Sequence, residues 1–358
     1  MSGANLSLLE YLKLLKEDNF EIYLITPRLG EFTNRAANYV VKSYEIYFYS
    51  WCIDPAVKLS FPARLRRIIR NHVAKRQAGK IIKEIGPDYI ATNTITIDIG
   101  ALTAKRYSVK HLWFVHEFGE LDHGFTFKIG MDKARKKIIS LSHLVVVNSL
   151  AVLNSFPVSD KLKLIYYSIT NQCPVINKKE YKSSFRVVML GQIARSKNQA
   201  EAIRAIGLCR EKGYNITLSI YGNIITKDYY DFLENIIKKN LLDNFVTFHS
   251  QTGDICKPLR ESHALLMCSG NEAFGRVTVE ALKAGLPVIA AQTGGSLEII
   301  DDGINGYFYE PGNVAGFADK IIDMYNNYIR FDSKKISANI TLKFNETNTR
   351  KQLKKVFN

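Results

Sequence analysis

Between Arg186 and Ala291 short apolar runs recur between helical stretches: Arg186–Leu190, Thr217–Tyr221, Phe245–Phe248, Ala264–Cys268 and Pro287–Ala291. Helical patterning occupies Asn198–Glu211, Asp228–Lys239, Arg276–Ala284 and, after the last run, Val314–Asn327. Runs apolar at successive positions suit strands buried on both faces, the condition of a parallel sheet covered by helices. This alternation predicts a doubly wound α/β domain. The first half repeats the theme. Leu6, Leu8, Leu9, Leu12 and Leu15 recur at helical spacing, Glu21–Thr26 reads as a strand closed by Pro27, and Tyr89–Ala91, Leu112–Val115 and Leu144–Val147 are short buried strands.

The expected fold is therefore two tandem Rossmann-like domains, in keeping with 358 residues against a usual domain of about 150. Residues 1–170 form the first domain and 185–335 the second. Residues 171–184, polar and carrying Pro174 and Lys178-Lys179-Glu180, form a linker. Residues 336–358 are expected as a C-terminal helix returning to the first domain. One departure stands out. A doubly wound domain opens strand, turn, helix, whereas MSGANLSLLEYL opens at the turn. Either the start lies upstream, or the first domain lacks its first strand.

No apolar run approaches the roughly 18 residues that span a bilayer, and the N-terminus has no secretory pattern. The expected location is the cytoplasm. Cys52, Cys173, Cys209, Cys256 and Cys268 form no CxxC pair and are expected to be reduced. The formal net charge of +15 is concentrated: Lys and Arg outnumber Asp and Glu by 27 to 16 in residues 1–184, and by 22 to 18 thereafter.

The stretch NEAFGRVTVEALKAGLPV sets Glu272 just ahead of a helix starting near Gly275 and Glu280 inside it, with Gly285 and Pro287 ending it. The amides of Gly275, Arg276 and Val277, after Phe274, point at the strand-end crevice where such domains bind ligands. Phosphate suits those amides; a carboxylate, which only accepts, suits hydroxyls. Hydroxyl, phosphate, hydroxyl is the layout of a nucleotide sugar.

With Gly294-Gly295, Glu298 and the run from Asp302-Gly303 to Gly312-Asn313, this block resembles the retaining glycosyltransferases of family 4, which have the GT-B fold. Glu272 and Glu280 match that family's Glu-x7-Glu element. The resemblance implies that Glu280 holds the donor ribose and Glu272 the donor sugar, while the helix N-terminus takes the diphosphate with Lys197, in GQIARSKNQ, at the family's lysine position. Gln192 stands where the family has arginine, leaving Arg195 or Arg276 as the second cation. His116, at the end of HLWFVHEFGELDH, matches a histidine near the donor sugar, and Gly3 matches a glycine loop facing the same cleft. The first domain becomes the acceptor side. A zinc site at His116, Glu117 and His123 lacks the HExxH spacing, and no Asp-x-Asp clamp occurs, so neither a metal nor another cofactor is expected. The donor would be a UDP- or GDP-sugar.

In PARLRRIIRNHVAKR, Leu65, Ile68, Ile69 and Val73 share one helical face, while Arg64, Arg66, Arg67 and Arg70 crowd the others. Such a helix can lie on an anionic membrane. Nucleic acid is not an expected partner, because no base-stacking module accompanies the charge. The sequence thus predicts a retaining hexosyltransferase of bacterial surface polysaccharide synthesis, capsule or exopolysaccharide. It would be peripheral on the inner face of the cell membrane and use a saccharide acceptor, lipid-linked by family habit. A non-catalytic partner subunit and a GT-B sugar-nucleotide epimerase are the alternatives.

Overall fold

The computed structural model describes residues 3–54, 57, 59–170, 173–176 and 184–357. They divide into two units, one of residues up to Ser168 together with Glu346 onward, the other of Ile169–Asn345. The expected Lys178-Lys179-Glu180 linker run lies outside the described residues. The strands, in chain order, are β1 Tyr23–Thr26, β2 Lys42–Glu45, β3 Cys52–Ile53, β4 Tyr89–Asn93, β5 Lys110–Val115, β6 Thr126–Phe127, β7 Leu144–Val147 and β8 Leu162–Leu164 in the first unit. The second unit holds β9 Phe185–Leu190, β10 Ile216–Tyr221, β11 Val246–His249, β12 Ala264–Met267, β13 Val288–Ala291 and β14 Gly306–Tyr309.

In the second unit six parallel strands pair in the order β11-β10-β9-β12-β13-β14, with β9 in register against β10 from Phe185–Ile216 to Leu190–Tyr221. Every residue of β12 and β13 is buried, as expected for a sheet covered on both faces. Each large side chain buried there contributes roughly 1.5–3 kcal/mol. At the sheet's C-terminal edge, a Cβ on Gly222 would lie 1.8 Å from the Gly191 carbonyl oxygen, so glycine permits the two loops to meet. The helix Val314–Asn327 packs on Gln199–Glu211, and Phe317 stacks on Tyr309 at 3.9 Å.

Two expectations are corrected here. Cys173 and Cys256 are disulfide-bonded across 83 residues, whereas Cys52, Cys209 and Cys268 are free and buried. A pair so far apart in sequence leaves no spacing signal. The chain also leaves the second unit at Asn345, not at residue 336: the helix Ser333–Lys343 packs on Arg276–Lys283 within that unit. There the buried Lys283 ammonium donates to the carbonyls of Ile169, at 2.5 Å, and Phe344, at 2.7 Å.

The first unit contains two separate parallel sheets, β1-β2 and β4-β5-β7-β8, and a short antiparallel pair, β3-β6. Gly3, expected in a turn, is the first residue of the helix Gly3–Glu17. Leu9 and Leu12 of that helix pack with Ile22 and Leu24, while Tyr11 meets Phe114 at 5.4 Å. The last helix, Glu346–Val356, joins this unit through ions: Lys13 bonds Glu346 at 3.0 Å, and Arg350 bridges Glu17 and Asp18. Arg350 holds the Asp18 carboxyl below its ordinary pKa.

Candidate active site

The opening carboxylates of the second unit stand where the sequence reading put them relative to the helix. Gly275, at φ 96°, is the N-cap of Arg276–Lys283, so glycine supplies a left-handed turn that a side chain resists. The helix stops at Gly285, φ 79°. Glu272 lies on the loop after β12 and Glu280 within the helix, both partly buried.

The Gly294-Gly295 pair explains how that loop is shaped. A Cβ on Gly294 would fall 2.2 Å from the Glu272 carbonyl oxygen, and one on Gly295 2.4 Å from that of Phe274. The Gly295 amide donates to the Glu272 carbonyl at 2.7 Å, and Thr293 Oγ1 to Gly270 at 3.0 Å. Two glycines after β13 thereby press the acidic loop into place. Phe274 is buried, edge-on to Phe344 at 5.5 Å, and anchors the loop from inside.

Each carboxylate is met by a cation. Lys197 Nζ bonds Glu272 Oε2 at 2.8 Å, joining the loop after β9 to the loop after β12, and Arg276 Nε bonds Glu280 Oε1 at 3.0 Å along one helix face. The Lys197 loop is itself pinned by Glu201, a buried carboxylate that accepts from Asn198 Nδ2, the Gly312 amide and the Tyr309 hydroxyl. Arg195 projects elsewhere, its guanidinium 5.2 Å from the Tyr229 ring and 6.0 Å from that of Phe232. Gln192 has an exposed side chain, and its carbonyl accepts from Gln199 at 2.8 Å. Val277 is partly buried one residue into the helix. Glu201 escaped the sequence reading, as did the buried hydroxyls of Thr278 and Ser296, which lack a hydrogen-bond partner among the described residues. The one legible signal was Glu201 three residues after Asn198 at a helix start.

In the first unit His116 follows β5 and is buried. Its Nε2–H donates to Asn93 Oδ1 at 2.5 Å, and its Nδ1 accepts from the Tyr167 hydroxyl, which in turn accepts from Asn148 Nδ2 at 2.9 Å. Burial pushes its pKa down to about 3, so the ring is a neutral member of a hydrogen-bonded chain. Beside it, buried Glu117 accepts from the amides of Ile95 and His116 at 2.7 and 3.1 Å, and burial raises its pKa to about 7. Asn93, Asn148 and Tyr167 were missed, because their contacts join strand ends that are distant in sequence.

The long helix Phe61–Ile85 departs most from expectation. Ala74, Ala78, Gly79 and Ile82 are buried, while Phe61, Leu65, Ile68, Ile69 and Val73 are exposed, Phe61 at 79% and Ile68 at 67%. Of the four arginines expected to face a membrane, two are tied to the preceding loop. Arg67 donates to Ser50 at 2.8 Å and lies over the Tyr49 ring; Arg70 donates to Tyr47 at 3.0 Å and lies over that residue's ring. Arg64 and Arg66 are exposed beside the apolar residues.

Comparison with known proteins gives this geometry a class. Residues 176–341 match the family of glycosyl transferases group 1. The chain is 21% identical over 345 residues to the capsular polysaccharide biosynthesis glycosyltransferase CapM of Staphylococcus aureus, covering 88% of this chain and 83% of CapM. It is 29% identical over 149 residues to a D-inositol 3-phosphate glycosyltransferase of Paenarthrobacter aurescens, which covers 40% of this chain and only 36% of that relative. Among solved structures, HepE of Anabaena, in complex with UDP and glucose, superposes with a TM-score of 0.77 at 20% identity, over 99% of this chain and 95% of that one. The fold is thus that of the GT-B class, two Rossmann-like domains in one chain. Within that class, residues 176–341 resemble the glycosyl transferases of group 1, and over most of its length the chain is similar to CapM.

Proposed function

We propose that the protein moves a hexose from a UDP- or GDP-linked donor to a saccharide acceptor with retention at the anomeric carbon. The observation that carries this reading is the bracketed helix N-terminus, with Glu272 before it, Glu280 inside it, and a cation on each. A diphosphate engages the Gly275–Val277 amides together with Lys197 and Arg276, while ribose and sugar hydroxyls engage Glu280 and Glu272. Binding exchanges each ion pair for contacts with the donor.

In the transfer the bond from the anomeric carbon to the phosphate oxygen breaks. The acceptor oxygen bonds that carbon on the same face, and its proton passes to the departing phosphate oxygen. Fixed positive charge at the phosphate stabilises the leaving group, with Lys197 and Arg276 as its sources, since Arg195 turns toward Tyr229 and Phe232, and with no metal ion required. In the first unit His116 is a neutral, hydrogen-bonded positioning group. Its low pKa and occupied nitrogens make it unsuited to take a proton.

The acceptor is a lipid-linked saccharide of bacterial capsule or exopolysaccharide, and the protein works in the cytoplasm at the inner face of the cell membrane. The capsular role of CapM and the exposed apolar face of Phe61–Ile85, flanked by Arg64 and Arg66, support this part. Donor binding without transfer is the second reading, favoured by Gln192 in the position where the family it resembles has arginine. Calorimetry with UDP, GDP and ADP, repeated on Glu280→Ala, tests the site. One nucleotide should bind and lose affinity in the variant; if none binds, the reading fails.

A further inference from the structure

Glu201 lies in the first turn of the helix Gln199–Glu211 and is 3% exposed. Among the described residues its carboxylate meets neutral donors only: Asn198 Nδ2, the Tyr309 hydroxyl at 3.1 Å and the Gly312 amide at 2.6 Å. A carboxylate buried away from cations is costly and persists only where its oxygens are hydrogen-bonded. Helix capping does not account for it. Asn198 is the N-cap and Glu201 the third helical residue, the spacing of a capping box, in which the glutamate accepts from the amide of the N-cap. Here the Asn198 amide donates to the Arg195 carbonyl at 3.1 Å instead, and Glu201 turns away to Tyr309, the last residue of β14, and to Gly312 beyond it.

The segments that shape the candidate site meet at this carboxylate. Asn198 has φ 50°, a left-handed conformation that asparagine adopts when its short side chain is hydrogen-bonded locally, and Lys197 immediately precedes it. The Tyr309 hydroxyl also bonds the thiol of Cys268, the buried residue through which β12 runs into the loop carrying Glu272. Gly312, at φ 86°, forms the turn between β14 and the helix Val314–Asn327, and Phe317 of that helix stacks on Tyr309 from behind. Both sides of the Lys197–Glu272 pair, 2.8 Å apart, are thereby referred to one buried group. The other pair is not: Arg276 and Glu280 lie on a single helix and touch no member of this cluster.

We infer that Glu201 is a positioning residue of the donor site. By locking the left-handed turn at Asn198 and the Tyr309–Cys268 contact, it fixes where Lys197 stands relative to Glu272, and so where a diphosphate meets its cation. Being buried, it acts through those residues and does not touch the donor. The inference rests on the donor reading of that site and sharpens it: Glu201 matters to the phosphates through Lys197, and leaves the nucleoside, whose ribose falls to Glu280, unaffected.

The test is a double-variant cycle on the full chain with Glu201→Ala, Lys197→Ala and the two combined, and with Glu201→Gln as the conservative form. Affinity is read by calorimetry for UDP or GDP, whichever the parent binds, and by ligand-observed magnetic resonance for the matching nucleoside. Glu201→Ala should weaken the diphosphate about tenfold and the nucleoside by less than about twofold, and in the Lys197→Ala background it should cost less than about twofold, because nothing is left to position. Glu201→Gln, which keeps the shape and most of the hydrogen bonds, should stay within about threefold of the parent. Equal losses for diphosphate and nucleoside, or losses that multiply in the combined variant, overturn the inference. Should Glu201→Ala not fold, Tyr309→Phe removes one donor at nearly constant volume and enters the same cycle, with an expected loss of about threefold. Hydrogen exchange at the amides of Lys197 and Asn198, which donate to the carbonyls of Ala194 and Arg195, needs no ligand. It should quicken about tenfold in Glu201→Ala and not in Lys197→Ala. A parent that binds neither nucleotide overturns the donor reading alone; faster exchange then still supports the positioning of Lys197, and unchanged exchange overturns it.

Discussion

Where the second unit buries its first strand, β9, inside a six-stranded sheet, the first unit keeps β1 half-buried and sets β1 and β4 at the edges of two separate sheets. The polar residues differ in the same sense. The second unit's candidate site is made of partly buried charges already paired, Lys197 with Glu272 and Arg276 with Glu280. The first unit's polar centre is buried and neutral, His116 held between Asn93 and Tyr167. Both tryptophans, Trp51 and Trp113, lie in the first unit, so their fluorescence reports that unit alone.

The largest expected effect separates the units outright. Cys173→Ser opens an 83-residue loop and should cost the second unit about 4 kcal/mol. Urea unfolding followed by far-ultraviolet dichroism would shift, while the tryptophan transition would not; a common shift of both signals would show that the units unfold as one. Next comes Gly295→Ala, which drives a Cβ into the Phe274 carbonyl and should cost roughly 2–4 kcal/mol along with nucleotide binding. Retained binding would mean the acidic loop does not need that close approach. Glu280→Ala should lower nucleotide affinity roughly 10- to 100-fold, the range of a charge-assisted hydrogen bond. An unchanged dissociation constant by calorimetry would remove Glu280 from the ribose.

Acidity should act on the first unit. Burial pushes His111 and His116 down to about 3 from 6.5, so the unfolded chain binds their protons first as pH falls. Their contribution is complete above pH 6.5 and declines toward pH 3, by about 1.4 kcal/mol per pH unit for each group. Glu117, raised to about 7 from 4.5, acts in the opposite sense and cancels one of them between pH 4.5 and 6.5. The tryptophan-detected urea midpoint should therefore still rise across that window, with the slope of about one net proton. A flat profile would show that the two imidazoles are not held neutral. The smallest effect concerns the exposed helix: Arg66→Gln should weaken sedimentation with anionic vesicles by about 1 kcal/mol. Arg67→Gln should change vesicle binding less, and the reverse ranking would reassign the lipid-facing side.

What the sequence made legible follows from the same contrast. Unbroken apolar runs such as Ala264–Cys268 announced the second sheet, because strands covered on both faces can be apolar throughout. Lys42–Glu45 and Leu162–Leu164 did not, since short edge strands keep polar residues, and Gly306–Tyr309 was hidden among the turn residues before it. The positions of Glu272 just before the helix and Glu280 within it were readable from glycine punctuation. Their partner cations were only half readable: Arg276 lies four residues from Glu280, whereas Lys197 reaches Glu272 across 75 residues. Arg67 and Arg70 read as membrane-facing charge because nothing nearby in sequence announces the carbonyls of Ser50 and Tyr47.

Lys283 sits near the end of the helix that bears Arg276 and Glu280, and its ammonium grips the carbonyls of Ile169 and Phe344, close to the points where the chain enters and leaves the second unit. The two bonds therefore tie both passing segments to the helix that seats the proposed donor. The amine works as a rivet that holds its own helix and two other pieces of backbone together.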